Sequence, residues 1–353
     1  MTEQKLKAAV IGAGWYGAEN HIPVLSHRPE VVLDGVCRLG AAELERVKGH
    51  FGFAFASKDY REVLARKPDI VVVSTPHQLH YAQARDAIEA GAHVLCEKPL
   101  TLDPAEAWDL VARARRRGRH LLIANGYQYM PHTDELRRIL REGGIGRIES
   151  LLCTFVSATR AVFEGDVGLE RWQRTFFRPD RATWQNPAQG GGFAYGQLSH
   201  SLALLLWLTG LTPRTVEART YNRDGVDLCD AATVAFAEGA VGSLHGAAAM
   251  PEGSRALLHI IVTGSEGMVS AEFERDRCEI RRFDGRDRTL SIEPGQWAVD
   301  GKRPTDTLVD LALGRGENRS PGEIGAGAVS LIEAMLRSAA GGAAVEVYSP
   351  KEA

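Results

Sequence analysis

Two rhythms of apolar and polar positions alternate along the first third of the chain. Short, mostly apolar segments at 7–11, 31–37, 69–74, 93–96 and 121–124 recur between stretches of helical spacing and read as strands. The run 69–74 is continuous, as in a strand buried on both faces. The intervening stretches predict a helix from about residue 16, interrupted early by Pro23, and another over 41–51 with Leu44 and Val47 on one face. Further helices are predicted over 60–65, over 81–90 where Gly91 ends the pattern, and from Asp103-Pro104, an N-cap and first-turn pair, to about 117. Strand–helix alternation of this kind predicts a parallel sheet covered on both faces.

The rhythm changes after about Asn125. One helix is predicted over 132–142, followed by strands over 148–159, 215–221, 231–236, 240–247 and 257–263. Glu238-Gly239 and Asp284-Gly285 mark turns, and an apolar helix over 199–208 is embedded among the strands. The prediction is an α/β chain: a doubly wound parallel domain over 1–124, then an α+β domain over 125–353 with a large, mostly antiparallel open sheet. No internal repeat or low-complexity linker is present.

Composition narrows the function. A length of 353 residues is comfortable for two cores. The formal net charge of -3 supplies no basic field for nucleic acid or an anionic membrane surface. The basic run Arg113, Arg115, Arg116, Arg117 and Arg119 reads as a solvated helix end. Cys37, Cys96, Cys153, Cys229 and Cys278 are far apart and form no CxxC pair, which argues against a disulfide framework or a zinc site. No metal is expected. No apolar run reaches the roughly 18 residues of a membrane span, and no signal-peptide pattern opens the chain. The expected compartment is the cytoplasm.

The first strand runs directly into Gly12-Ala13-Gly14-Trp15-Tyr16-Gly17 at the start of a helix. In that context G-x-G-x-x-G predicts a Rossmann domain. The first glycine permits the turn, the second admits the pyrophosphate, and the third packs helix on strand. The helix N-terminus then offers N–H donors to phosphate. An acid that would bind the ribose of NAD is missing at the end of the second strand, where Arg38 stands instead, and Asp34 lies too early on the strand. Arg38 therefore predicts a preference for NADP, with NAD acceptable if Arg38 only stacks on the adenine.

Three segments are more specific. They are Ser74-Thr75-Pro76-His77-Gln78-Leu79-His80, then Glu97-Lys98-Pro99-Leu100, then Gly190-Gly191-Gly192 with His200 and Trp207-Leu208-Thr209-Gly210 behind it. In combination with the glycine loop, the chain resembles the Gfo/Idh/MocA oxidoreductases over essentially its whole length. The resemblance implies nicotinamide-dependent chemistry on sugars, inositols or related polyols. It also implies a homodimer or homotetramer formed through the open sheet. Lys98 would orient the substrate and stabilise charge on its oxygen. Ser74, Thr75, Pro76, His80 and Glu97 would line the cofactor with Lys98, leaving His77 as a loop residue. The loop position of Lys98 at a strand's carboxyl end agrees with this, because ligands bind in that crevice. The plainer reading is a surface lysine paired with Glu97.

His200 is the candidate base, since a histidine exchanges protons near neutral pH and a helix N-terminus would lower its pKa. The plainer reading is a buried structural histidine. The chain departs from the resemblance at Gly196 and Ala203, where many members carry an aspartate and an Asp or Asn. Tyr195 and Gln197 flank Gly196 and offer polar contacts, and Tyr127 and Gln128 open the second domain beside the crevice. Arg160, Arg171, Arg174, Arg178 and Arg181, interleaved with Trp172 and Trp184, offer anion binding and ring stacking. Taken singly, each reads as a surface arginine or a core tryptophan.

The leading expectation is an NAD(P)-dependent oxidoreductase acting on a ring carbon of a sugar, sugar acid or cyclitol. A second is a glycosidase that oxidises its substrate transiently, eliminates, hydrates and returns the hydride. A third is a non-catalytic dinucleotide sensor.

Overall fold

Six strands form a parallel sheet in the order β3-β2-β1-β4-β5-β6. They are β1 (Leu6–Ile11), β2 (Val31–Cys37), β3 (Phe55–Ser57), β4 (Ile70–Val73), β5 (His93–Cys96) and β6 (Leu121–Ile123). The molecule is described by a computed structural model, covering residues 5–165, 176–178 and 181–350. The strand order is that of a Rossmann domain. Helices α1 (Ile22–His27), α2 (Ala41–Phe51), α3 (Tyr60–Leu64), α4 (His80–Glu89) and α5 (Pro104–Arg117) connect the strands. Asp59 and Asp103 cap α3 and α5 by accepting the N–H groups of Arg61 and Glu106. Alternate strand residues enter opposite apolar clusters. Ala8, Val10, Ile70, Val72 and Leu95 face one side, and Ala9, Ile11, Val71, Val73 and Cys96 face the other.

Register brings the strand ends into line. Ile11 pairs with both Cys37 and Val73, Val73 with Cys96, and Cys96 with Ile123. The glycine loop, Arg38, Ser74, Glu97-Lys98 and Asn125 all follow from that single row.

The second sheet has nine strands in the order β14-β13-β12-β11-β7-β10-β9-β8-β15. They are β7 (Ile148–Val156), β8 (Pro213–Arg223), β9 (Val226–Phe236), β10 (Val241–Ala247), β11 (Leu257–Gly264), β12 (Gly267–Phe273), β13 (Arg277–Arg282), β14 (Arg288–Thr289) and β15 (Val345–Glu346). All neighbours are antiparallel except β7 and β10. One face is covered by helices, and the other is open.

The remaining helices are α6 (Thr133–Arg141), α7 (Arg160–Phe163), α8 (Arg181–Gln185), α9 (Ser199–Thr209), α10 (Arg303–Ala312) and α11 (Gly322–Gly341). Of these, α7, α8, α10 and α11 are absent from the sequence reading. Leu308, Val309 and Leu311 of α10 join the apolar cluster of Ala8, Val10 and Leu122, so the far end of the chain completes one face of the first sheet. Among the described residues, no helix is long and apolar enough to cross a membrane.

Candidate active site

The glycine loop is shaped by close approach. Gly12 has φ +92°, and a Cβ there would lie 2.5 Å from the carbonyl carbon of Ser74. A Cβ on Gly17 would lie 3.0 Å from the Gly12 oxygen, whereas one on Gly14 would meet nothing nearer than 4.0 Å. The open side of Gly14 thus faces the crevice. Ala18 donates to the Gly14 carbonyl, so the helix begins there and directs its first-turn N–H groups at the loop. This cradle fits a dinucleotide pyrophosphate. The helix includes a wide π-type turn over Gly17–His21 before α1, and it continues through Pro23 where the sequence suggested an early break. Pro23 follows the π-type turn, at the second position of α1.

Arg38 follows β2 beside this loop. Its Nη1 donates to the Ala13 carbonyl at 3.0 Å and its Nε to that of Leu39 at 3.0 Å. The Asp34 carboxylate is engaged by Arg66 through two bonds of 2.7 and 2.8 Å, which removes it from ribose binding. Trp15 and Tyr16 pack edge to face at 5.6 Å, and Tyr16 also meets the His21 ring.

The loop after β5 is bolted from both sides. The fully buried His21 places Nε2 at 2.9 Å from Glu97 and Nδ1 at 2.7 Å from the Thr305 hydroxyl of α10. Glu97 also accepts the Lys98 N–H. His80 lies between the Pro99 and Thr75 carbonyls, 2.8 Å from each, tying the loops after β4 and β5 together. Thr75 donates its hydroxyl to Gln83, and the Ser74 N–H bonds Ile11. The Lys98-Pro99 bond is cis.

Lys98 reaches across to the second half of the chain. Its Nζ donates to the Gly196 carbonyl at 2.7 Å. Burial pushes its amine down, opposed by the Glu97 charge. In place of a salt bridge with Glu97, the ammonium bonds a backbone carbonyl in the turn before α9.

Gly196 lies in a second π-type turn, Ala194–Leu198, immediately before α9. Such turns recur at functional sites. A Cβ at Gly196 would lie 2.8 Å from Cζ of Phe163 and 3.6 Å from Trp184. A side chain at Gly196, where the family resemblance led us to expect an aspartate, is therefore blocked by the Phe163 ring, which stands 6.1 Å from that of Trp184 at 72°. Trp184 also lies 5.9 Å from Lys98 Nζ and edge to face with His77 at 6.0 Å.

His200 is not at a helix N-terminus. The helical run already begins at Phe193, one π-type turn earlier. Its pKa is still held well below the ordinary histidine value, by burial first and the Lys98 charge second. Its Nδ1 is buried with no partner among the described residues, and its ring meets that of Tyr127 at 5.9 Å. Asn125 donates to the His200 carbonyl at 3.0 Å, fastening α9 to the first sheet.

Several expected contacts point elsewhere. Tyr127 donates its hydroxyl to Glu274, and Tyr195 donates to the Leu102 carbonyl. Gln197 is partly exposed beside Gly196. Arg160 pairs with Glu164 at 3.0 Å, on the α7 turn that carries Phe163. Trp172, Arg171 and Arg174 lie outside the described residues. The sequence reading did not single out His21, Thr305, Asn125 or Phe163 as site residues, and it left His77 as a loop residue. His77 is buried against Trp184, with no partner for Nδ1 among the described residues. No local motif marks Phe163 or Thr305. The signal available for His77 was its place in the loop after β4.

Residues 6–125 match a family model described as an oxidoreductase family with an NAD-binding Rossmann fold. Residues 133–270 match the GFO/IDH/MocA C-terminal domain. The chain belongs to the Gfo/Idh/MocA oxidoreductase family. It is 28% identical to D-glucoside 3-dehydrogenase of Escherichia coli (strain K12) over 64% of this chain and 60% of that enzyme, so the match spans about three-fifths of the relative's length. It is 26% identical to levoglucosan dehydrogenase of Pseudarthrobacter phenanthrenivorans, covering 90% of this chain and 87% of that one. Among solved structures, GenD2 from gentamicin A biosynthesis in complex with NAD superposes with a TM-score of 0.76 at 27% identity, covering 98% of this chain and 97% of that one.

Proposed function

From membership of that family, we propose that the protein transfers hydride between nicotinamide and a ring carbon of a sugar, sugar acid or cyclitol. The observation that carries this reading is the bond from Lys98 to Gly196, with His200 one helical turn further on. When bound, the dinucleotide supplies the hydride acceptor or donor. The glycine loop would hold its pyrophosphate. The Lys98 ammonium would orient the reacting hydroxyl and stabilise negative charge growing on its oxygen. His200 stays neutral at neutral pH because burial disfavours the imidazolium, so it would take the hydroxyl proton during oxidation and return it during reduction. Trp184 and Phe163 would supply an apolar wall against the sugar ring.

NADP is the proposed preferred cofactor, with NAD acceptable. Arg38 stands at the end of β2 in place of an acid, and Asp34 is engaged by Arg66. The proposed assembly is a homodimer or homotetramer through the open face of the second sheet. That face leaves Val241 exposed, with Leu152 and Ile261 partly covered. The test is nicotinamide absorbance with a panel of neutral and acidic sugars and each dinucleotide. Sugar-dependent reduction supports the reading. Glycoside cleavage without accumulation of reduced cofactor would replace it with the redox-neutral glycosidase.

A further inference from the structure

The crevice beside β2 is walled by more than the first sheet and its helices. The Arg38 guanidinium lies 3.8 Å over the ring of Phe177, a residue from the second half of the chain. Phe177 is held there by its neighbour. Phe176 donates its backbone N–H to the Glu19 carboxylate, in the helix that follows the glycine loop. Its ring rests on His50 at 5.0 Å and Phe51 at 5.7 Å, with Arg46 4.1 Å over its face. The two phenylalanine rings meet edge to face at 4.9 Å. Both pack on the apolar cluster of α1, α2 and β2.

A guanidinium has two flat faces and an edge of N–H donors. In Arg38 one face is taken by Phe177, and Nε and Nη1 are fixed by the carbonyls of Leu39 and Ala13. The plane is therefore set before any ligand arrives. The opposite face is the right size for a purine ring, and a cation pressed between two π-systems gains from both.

We propose that Phe177, Arg38 and the adenine of the bound dinucleotide form a three-layer stack. Phe177 is then a positioning residue for the adenosine end, and Phe176 is its anchor. This rests on dinucleotide binding and is independent of the sugar chemistry. Phe163 and Trp184, on either side of the Phe176-Phe177 pair in sequence, stand at the Lys98 end.

The test uses two ligands that carry the adenosine end without nicotinamide, adenosine 5′-monophosphate and adenosine 2′,5′-bisphosphate, titrated by calorimetry into the full chain. Phe177→Ala weakens both by the same factor, roughly 3- to 30-fold, because it loosens the plane and not the phosphate contact. Phe177→Trp keeps or improves both affinities. Phe177→Leu, which keeps apolar volume but no π face, behaves like the alanine variant. Native affinity in Phe177→Leu overturns the stack, since apolar packing then suffices. Failure of the native protein to bind either ligand overturns the adenosine assignment and leaves the sugar reading to its own assay.

Discussion

Lys98 donates its ammonium to the carbonyl of Gly196 at 2.7 Å, joining the loop after β5 to the π-type turn before α9. The bond runs to backbone because Gly196 has no side chain to offer. Phe163 and Trp184 occupy the space a carboxylate would need.

Gly196→Asp therefore fails to install the carboxylate that the family resemblance led us to expect there. Its Cβ would lie 2.8 Å from Phe163, and overpacking of this kind costs about 1–3 kcal/mol. Denaturant unfolding checks the loss. Adding Phe163→Ala to Gly196→Asp should cost less than the sum of the two single changes, and additive losses would show that the rings do not compete for that space.

Lys98→Ala and His200→Ala should separate binding from turnover. Each is expected to lower kcat by roughly 10²–10⁴ while leaving dinucleotide affinity within a few-fold of native. Steady-state kinetics and a binding titration on the same preparations check this. An unchanged kcat in either variant removes that residue from the proposed chemistry.

The pH dependence follows from His200, whose pKa is depressed by burial and then by Lys98. Between its folded value and the ordinary 6.5, the folded state binds fewer protons than the unfolded chain. The contribution to stability is complete above 6.5 and is lost as pH falls through the folded value. Oxidation should likewise persist below pH 6.5 and fail only at the depressed value, read as the acidic limb of kcat/KM. A limb at the ordinary histidine value would contradict His200 as the base.

A second pH effect comes from Asp227 and Asp230 on β9. Burial raises both, and Asp230 is raised further by Asp227. Asp227 accepts the Ala194 N–H at 2.6 Å, while neither Asp230 oxygen meets a donor among the described residues. Raised carboxyls stabilise the fold below the ordinary 3.8, and that stability is lost as pH rises through the folded values. Asp230→Asn should therefore melt above native at about pH 8, the gap closing towards about pH 4. Thermal melts across that range decide it.

Arg38→Ala should weaken NADP more than NAD. A charge-assisted bond to a 2′-phosphate contributes about 1.5–3 kcal/mol, or roughly 10- to 150-fold. Equal affinity of the native protein for the two dinucleotides would contradict the NADP preference.

The parallel sheet was legible because its strands are buried on both faces and read as apolar runs. The cofactor loop was legible because its three glycines have a fixed spacing after a strand. Helix α10 was not, since its partners Ala8, Val10 and Leu122 lie far earlier in the chain. The same distance hid Thr305 behind His21 and Phe177 beneath Arg38. Gly196 was recognised as a missing carboxylate, but only the packing of Phe163 and Trp184 shows why a carboxylate does not fit there.

Hydride transfer involving Lys98 is tested by isotope transfer from a ring-deuterated sugar, taken from those that reduce the cofactor, to the nicotinamide of NAD or NADP. Native protein and Lys98→Ala should be compared by mass spectrometry of the recovered dinucleotide. The predicted result is deuterium on the nicotinamide ring with native protein and loss of nearly all of it with Lys98→Ala. Deuterium transfer at the native rate in Lys98→Ala, or cofactor reduction without any label, would contradict the account.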